Sequence, residues 1–164
     1  MKYYPEKVDL SPNVGRKGDE NFKISPKYII LHHSYGSFVG GVSWCKDPDS
    51  DVSYHYLIDS DGSRVQLVYD TKRAWHAGVS KWDGIVGLNS HSLGVAFWGD
   101  TYTRPVKFAE VDSCAEKCIY LMQKFGIPIE NILRHQQVSP KRKNDPAPQV
   151  MQRVLDRIKE RMFV

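Results

Sequence analysis

Apolar and polar positions fall into blocks along this 164-residue chain, and the period of each block predicts an element. "KYIILHHS" at 27–34 is a short apolar run bounded by Pro26 and Gly36, which predicts a buried strand. "YHYLIDSDGSRVQLVYD" at 54–70 places two strand-like runs around Asp61-Gly62, a hairpin signature. "LGVAFWGD" at 93–100 predicts a further buried strand, and "NILRH" at 131–135 a short strand or strand end. Helical spacing occurs twice. It runs over 107–125, with Gly126 as the stop, and over 147–163, where Val150, Val154, Leu155 and Ile158 form an apolar stripe.

The intervening stretches read as irregular. Residues 1–26 form an arm rich in proline, glycine and charge. Residues 38–53 are mostly loop with one helical turn. Residues 71–92, with Trp75, Trp82 and three glycines, make a loop long enough to be functional. "RHQQVSPKRKNDPAP" at 134–148 carries prolines at 140, 146 and 148, so it predicts a fixed loop rather than a helix interior or a central strand. Strands alternating with long helices give an α/β fold of one domain, residues 27–164, behind the 1–26 arm. The length suits a single core.

Composition adds exclusions. Hydrophobic residues at 41% and charged residues at 26% are ordinary for a globular domain. No apolar stretch approaches the roughly 18 residues of a membrane helix. The N-terminus shows no secretory signal, so the expectation is a chain made and kept in the cytoplasm unless something else releases it. Three cysteines, Cys45, Cys114 and Cys118, argue against a disulfide framework and read as buried thiols. The net charge of +4 is uneven: +2 over residues 1–27, −3 over 28–130 and +5 over 131–164. The basic end suits either a solvated helix face or an anionic polymer such as nucleic acid or the bacterial envelope.

Chemistry concentrates in the histidines. His32 and His33 are neighbours in a strand and face opposite ways, so only one enters any given site. His55 lies beside Tyr54 but on the other face, which suits a structural role. His135 ends a short strand and is joined to Asp145 by the proline-rich loop. Two histidines with one carboxylate are a common catalytic zinc set, with a fourth position left for water. Zinc lowers the pKa of such a water toward neutrality.

"YIILHHS", "DVSYHYLIDSDG", "AWHAG", "NSHSLGV" and "RHQQVSPKRKNDPAP" occur in an order that resembles the type 2 zinc-dependent N-acetylmuramoyl-L-alanine amidases. That family includes phage lysozyme-type endolysins, recycling amidases and peptidoglycan recognition proteins. The resemblance spans roughly residues 27–160. It implies a central mixed β-sheet flanked by α-helices and one Zn2+ per chain, held by His32, His135 and Asp145. It implies Lys143 and Tyr54 as catalytic groups, the lysine at the developing oxyanion and the tyrosine near the water. It implies bacterial peptidoglycan as the partner. In the long loop His76 reads as either a substrate contact or a locally bonded group, Trp75 as either a cleft residue or a core anchor, and Asn89 as a further cleft residue. Two departures stand out. Ala147 replaces the usual glycine of the last motif. Ala96 occupies the position where recycling-type members carry a glutamate base, which brings the chain closer to the phage type.

The expectation is therefore an endolysin-like amidase, a monomer that acts on the wall after release from the producing cell. The alternatives are a host muropeptide-recycling amidase and a non-catalytic peptidoglycan-binding module. The three filled ligand positions argue against the second of these. No zinc-finger spacing or other nucleic-acid motif is present, so nucleic acid is not expected as a partner. The sequence does not decide whether a polymerase is bound.

Overall fold

The computed structural model describes residues 3–163. Its centre is a six-stranded sheet in the order β1-β4-β3-β7-β2-β8. The strands are β1 (Glu6–Val8), β2 (Tyr28–His33), β3 (Tyr56–Ile58), β4 (Arg64–Gln66), β7 (Ser92–Phe97) and β8 (Ile132–Arg134). Only the β3–β4 hairpin is antiparallel; the other pairs run parallel, so the sheet is mixed. Every residue of β2 and β7 is buried, which is why both read as unbroken apolar runs. Gly62 takes a φ of 88° in the hairpin turn, a backbone conformation suited to glycine.

The two-residue period sorts side chains onto two faces. Ile29 and Leu31 of β2 join Leu93, Val95 and Phe97 of β7 in the larger core. That core is closed by α2 (Phe108–Phe125) and α4 (Pro148–Met162). Cys114 and Cys118 are free, buried thiols within it. Tyr28, Ile30 and His32 point to the opposite face, where Ala77, Leu88 and Val138 cover the sheet. Gly126 ends α2 at a φ of 67°, as the periodicity expects. Among the described residues, no helix is long and apolar enough to cross a membrane.

Four stretches differ from the sequence reading. Residues 38–53 hold a nine-residue helix, α1 (Phe38–Lys46), capped by Ser37 Oγ, which accepts from Gly40 N–H at 3.0 Å. The 134–148 loop opens with one helical turn, α3 (His135–Val138), completed before Pro140. The long 71–92 loop contains a small hairpin of β5 (Lys81–Trp82) and β6 (Ile85–Val86), then a 3-10 turn at Leu88–Ser90. The arm contributes β1, the outer strand of the main sheet, and bridges to the loop at Val14–Ala74 and Lys23–Lys72.

Candidate active site

Parallel β2 and β8 are neighbours, with Leu31 opposite Arg134. Their carboxyl ends therefore deliver His32 and His135 side by side, the place where α/β sheets bind ligands. The loop after α3 returns Asp145 to the same point. His32 Nδ1 lies 3.0 Å from His135 Nδ1, and Asp145 stands 3.6 Å from the first and 3.2 Å from the second. All three side chains are buried, and one ligand atom from each falls within 4.8 Å of the others. Asp145 is held by an unexpected donor: the backbone N–H of His33 bonds its Oδ2 at 3.1 Å. The His33 imidazole itself faces away. Its Nδ1 accepts from Thr101 Oγ1 at 2.7 Å, and Thr101 Oγ1 in turn accepts from Ala147 N–H at 2.9 Å.

The donor set fits a divalent cation. His135 Nε2 donates to Ala77 O at 3.0 Å, which turns Nδ1 toward His32 and Asp145. Burial pushes His32 down to about 4, so this imidazole is neutral. Burial alone would raise Asp145, but the two facing imidazoles outweigh it and hold the carboxyl well below the usual range. Imidazole nitrogens and a carboxylate that converge in a buried spot suit a cation between them, and two histidines with one aspartate match the ligand set of a zinc site with an open fourth position.

A cleft of about 590 Å3 opens over this group. Tyr54 lines it, its ring centroid 5.2 Å from that of His32. Burial pushes the Tyr54 phenol well above its ordinary value, so it stays a donor. Lys143 is exposed in the cleft wall, close enough for its charge to act on His32. Trp75 also lines the cleft, while its indole N–H donates to Gly15 O at 2.8 Å, tying the arm to the rim.

Two expected substrate contacts are placed differently. Asn89 is buried and is not part of the cleft wall. Its Oδ1 accepts the backbone N–H groups of His76 and Ala77 at 3.1 and 2.7 Å. His76 reaches the cleft wall but is 5% exposed, and its Nδ1 is 2.8 Å from His32 Nε2. Asn89 lies behind the centre because the 71–92 loop folds over the sheet as a lining. The structure adds Tyr35, Trp44 and Arg142 to the cleft. The two aromatics are largely exposed and come from β2's end and α1, an element that periodicity did not show. His55 is structural, accepting Gly94 N–H and donating to Lys72 O.

A model of the N-acetylmuramoyl-L-alanine amidase family Amidase_2 matches residues 22–148. N-acetylmuramoyl-L-alanine amidase AmiD of Escherichia coli is 29% identical over 137 residues, covering 74% of this chain and 49% of AmiD. 1,6-anhydro-N-acetylmuramyl-L-alanine amidase AmpD of Enterobacter cloacae is 38% identical over 97 residues, covering 59% of this chain and 51% of that protein. The chain thus spans about half the length of the curated relatives it matches. The crystal structure of a selenomethionine AmpD derivative superposes with a TM-score of 0.77 at 27% identity, covering 96% of each chain. The catalytic domain of XlyA shares the fold, with a TM-score of 0.72 at 20% identity over 93% of this chain and 98% of that one.

Proposed function

Because this chain belongs to the N-acetylmuramoyl-L-alanine amidase family, we propose that it is a zinc hydrolase of peptidoglycan. It cleaves the amide between the lactyl group of N-acetylmuramic acid and L-alanine. The observation that carries this reading is the buried His32–His135–Asp145 group at the floor of a cleft lined by Lys143 and Tyr54. The chemistry that bound zinc supplies at such a centre is polarisation of the scissile carbonyl and acidification of a water. The chain's own residues do the rest. His32 and Asp145 are already in the unprotonated forms that ligands need. The protonated Tyr54 phenol donates a hydrogen bond at the reacting atoms. The Lys143 ammonium stabilises negative charge that develops on the carbonyl oxygen only in the transition state. Trp75, Tyr35 and Trp44 offer ring faces to the sugar and stem peptide.

Ala96, buried in β7 next to His32 in register, supports a wall-directed, endolysin-type role, since the recycling-type glutamate is absent from that position. In this role the chain is made in the producing cell's cytoplasm, acts as a monomer and reaches the wall after release. A second reading, cleavage of soluble anhydromuramyl peptides, draws on the similarity to proteins named 1,6-anhydro-N-acetylmuramyl-L-alanine amidase. The test is metal content by mass spectrometry with turbidity loss of purified peptidoglycan, before and after chelation. One zinc per chain, lysis lost on chelation and new N-terminal alanine are expected. Cleavage of soluble fragments but not of intact wall selects the second reading. Zinc-independent binding without cleavage overturns both.

A further inference from the structure

The face of the metal group turned away from the cleft is built from one short segment, Leu88–Ser92. Its hydrogen bonds run in one direction, and that direction can be worked out from its far end. Ser92 Oγ lies 2.5 Å from Leu88 O, and a carbonyl oxygen only accepts, so the single hydroxyl proton of Ser92 points there. Toward His76 Nε2, at 3.2 Å, Ser92 Oγ is therefore an acceptor, and His76 carries its proton on Nε2. His76 Nδ1 lies 2.8 Å from His32 Nε2, and with the His76 proton placed on Nε2 the bond between the two rings uses the proton of His32 Nε2. The His32 nitrogen that faces Asp145 and His135 is Nδ1, and a proton held on Nε2 by His76 leaves that nitrogen available as a ligand.

The same segment reaches the second histidine by another route. Asn89 Oδ1 takes both N–H groups of the His76–Ala77 stretch and so anchors the backbone that leads into Ala77 O, which Arg142 Nη2 also reaches at 3.2 Å. Ala77 O accepts from His135 Nε2–H, so the His135 nitrogen turned toward His32 and Asp145 is Nδ1. Space for the arrangement comes from Gly94. A Cβ built there would lie 2.5 Å from His76 Cγ. The backbone N–H of Gly94 is meanwhile taken by His55 Nδ1 at 3.0 Å, so the strand is held still beneath the ring.

We propose that the Leu88–Ser92 segment is an orienting clamp, in which Ser92 through His76 and Asn89 through Ala77 set both ligand histidines to present bare Nδ1 atoms to one metal ion. His76, Ser92 and Asn89 are positioning residues rather than substrate contacts. The inference rests on the metal-centre reading above and deepens it. Outer hydrogen bonds of this kind fix ring orientation and tautomer, and their loss typically costs about 10–100-fold in metal affinity.

The test uses the full chain with the metal removed and then titrated with zinc against a competing chelator, alongside long-range 1H–15N spectra of the histidine rings. In the metal-free wild type, His32 and His135 are expected as Nε2–H tautomers. Ser92→Ala and His76→Leu are expected to weaken zinc binding 10–100-fold and to scramble the His32 signal alone. His76→Asn, which keeps an acceptor, is expected to recover part of the loss, which a purely packing role would not allow. Asn89→Ala is expected to shift the His135 signal. If the larger variants fail to fold, Ser92→Ala, which deletes one buried oxygen, decides. Unchanged zinc affinity and an unchanged His32 tautomer in Ser92→Ala overturn the clamp, as does an Nδ1–H tautomer for wild-type His32. A wild type that binds no zinc at all overturns instead the metal-centre reading on which it stands.

Discussion

Lys143 and Gly94 show how differently single residues serve the site. Lys143 is exposed and belongs to no core, so truncating it leaves the ligand group intact. Lys143→Ala is expected to lower kcat by about 10–1000-fold, on the scale of losing an oxyanion stabiliser, while zinc content stays at one per chain. Steady-state kinetics with metal analysis checks this, and near-normal kcat would remove the assigned role. Gly94 touches no substrate, yet Gly94→Ala forces a methyl group to 2.5 Å from His76 Cγ. Overpacking of this kind costs about 1–3 kcal/mol, so a lower Tm and weaker zinc binding are expected together. A fall in Tm with zinc affinity unchanged would mean that the ring relaxes without disturbing His32. The convergence of His32, His135 and Asp145 was legible in the sequence because motif order and chemistry coincide at these three residues. The placement of Asn89 was not, because facing the cleft and lying behind it leave the same motif in one dimension.

At the scale of elements, β2, β7, the hairpin, α2 and α4 were legible because each carries an uninterrupted period. Helix α1 was not, since Gly40 and Gly41 lower helical propensity at its start. The structure gives Gly41 a packing reason: a Cβ there would stand 3.0 Å from Leu57 Cδ2 and 3.2 Å from Ser34 Oγ, so the glycine lets α1 lie close on the sheet. The three prolines of 134–148 correctly exclude a long helix, but one turn fits before Pro140. The arm hid β1 because three exposed residues carry no alternation to read. Charge holds β1 in addition to its backbone ladder with β4. Arg64, 6% exposed in β4, donates to Glu6 at 2.8 Å and to Glu116 of α2 at 3.2 Å. Arg64→Met strips a buried guanidinium from two carboxylates and is expected to cost about 3 kcal/mol, read by chemical denaturation. A change below 1 kcal/mol would show that Lys117, 3.0 Å from Glu6, suffices to hold the strand.

For the whole molecule, five of the eight basic residues of 131–164 bond within the chain while lying at or near its surface. Arg134, Arg142 and Arg153 donate to backbone carbonyls, and Arg157 and Arg161 to acidic side chains of α2. These charges close the domain more than they advertise for an anionic polymer. Asp112 is the centre of that closure. Its carboxylate accepts from Tyr4 of the arm at 2.7 Å and from Arg157 of α4 at 2.7 Å, with Arg161 at 3.3 Å. Burial alone would raise its pKa, but these donors and charges outweigh burial and hold it below the ordinary carboxylate value. A depressed folded pKa means that the unfolded chain binds the proton more readily. The stabilisation is therefore complete above about pH 4, the unfolded value, and is lost as pH falls through the lower folded value. Asp112→Asn, which cannot ionise, is expected to have a lower Tm than wild type at pH 6. That gap should close as the pH is lowered below about 4, because wild-type Asp112 then protonates and comes to resemble the amide. Thermal scans of both proteins from neutral to acid pH test this. Curves that stay parallel throughout would show that the arm, α2 and α4 are held together by packing and not by this carboxylate.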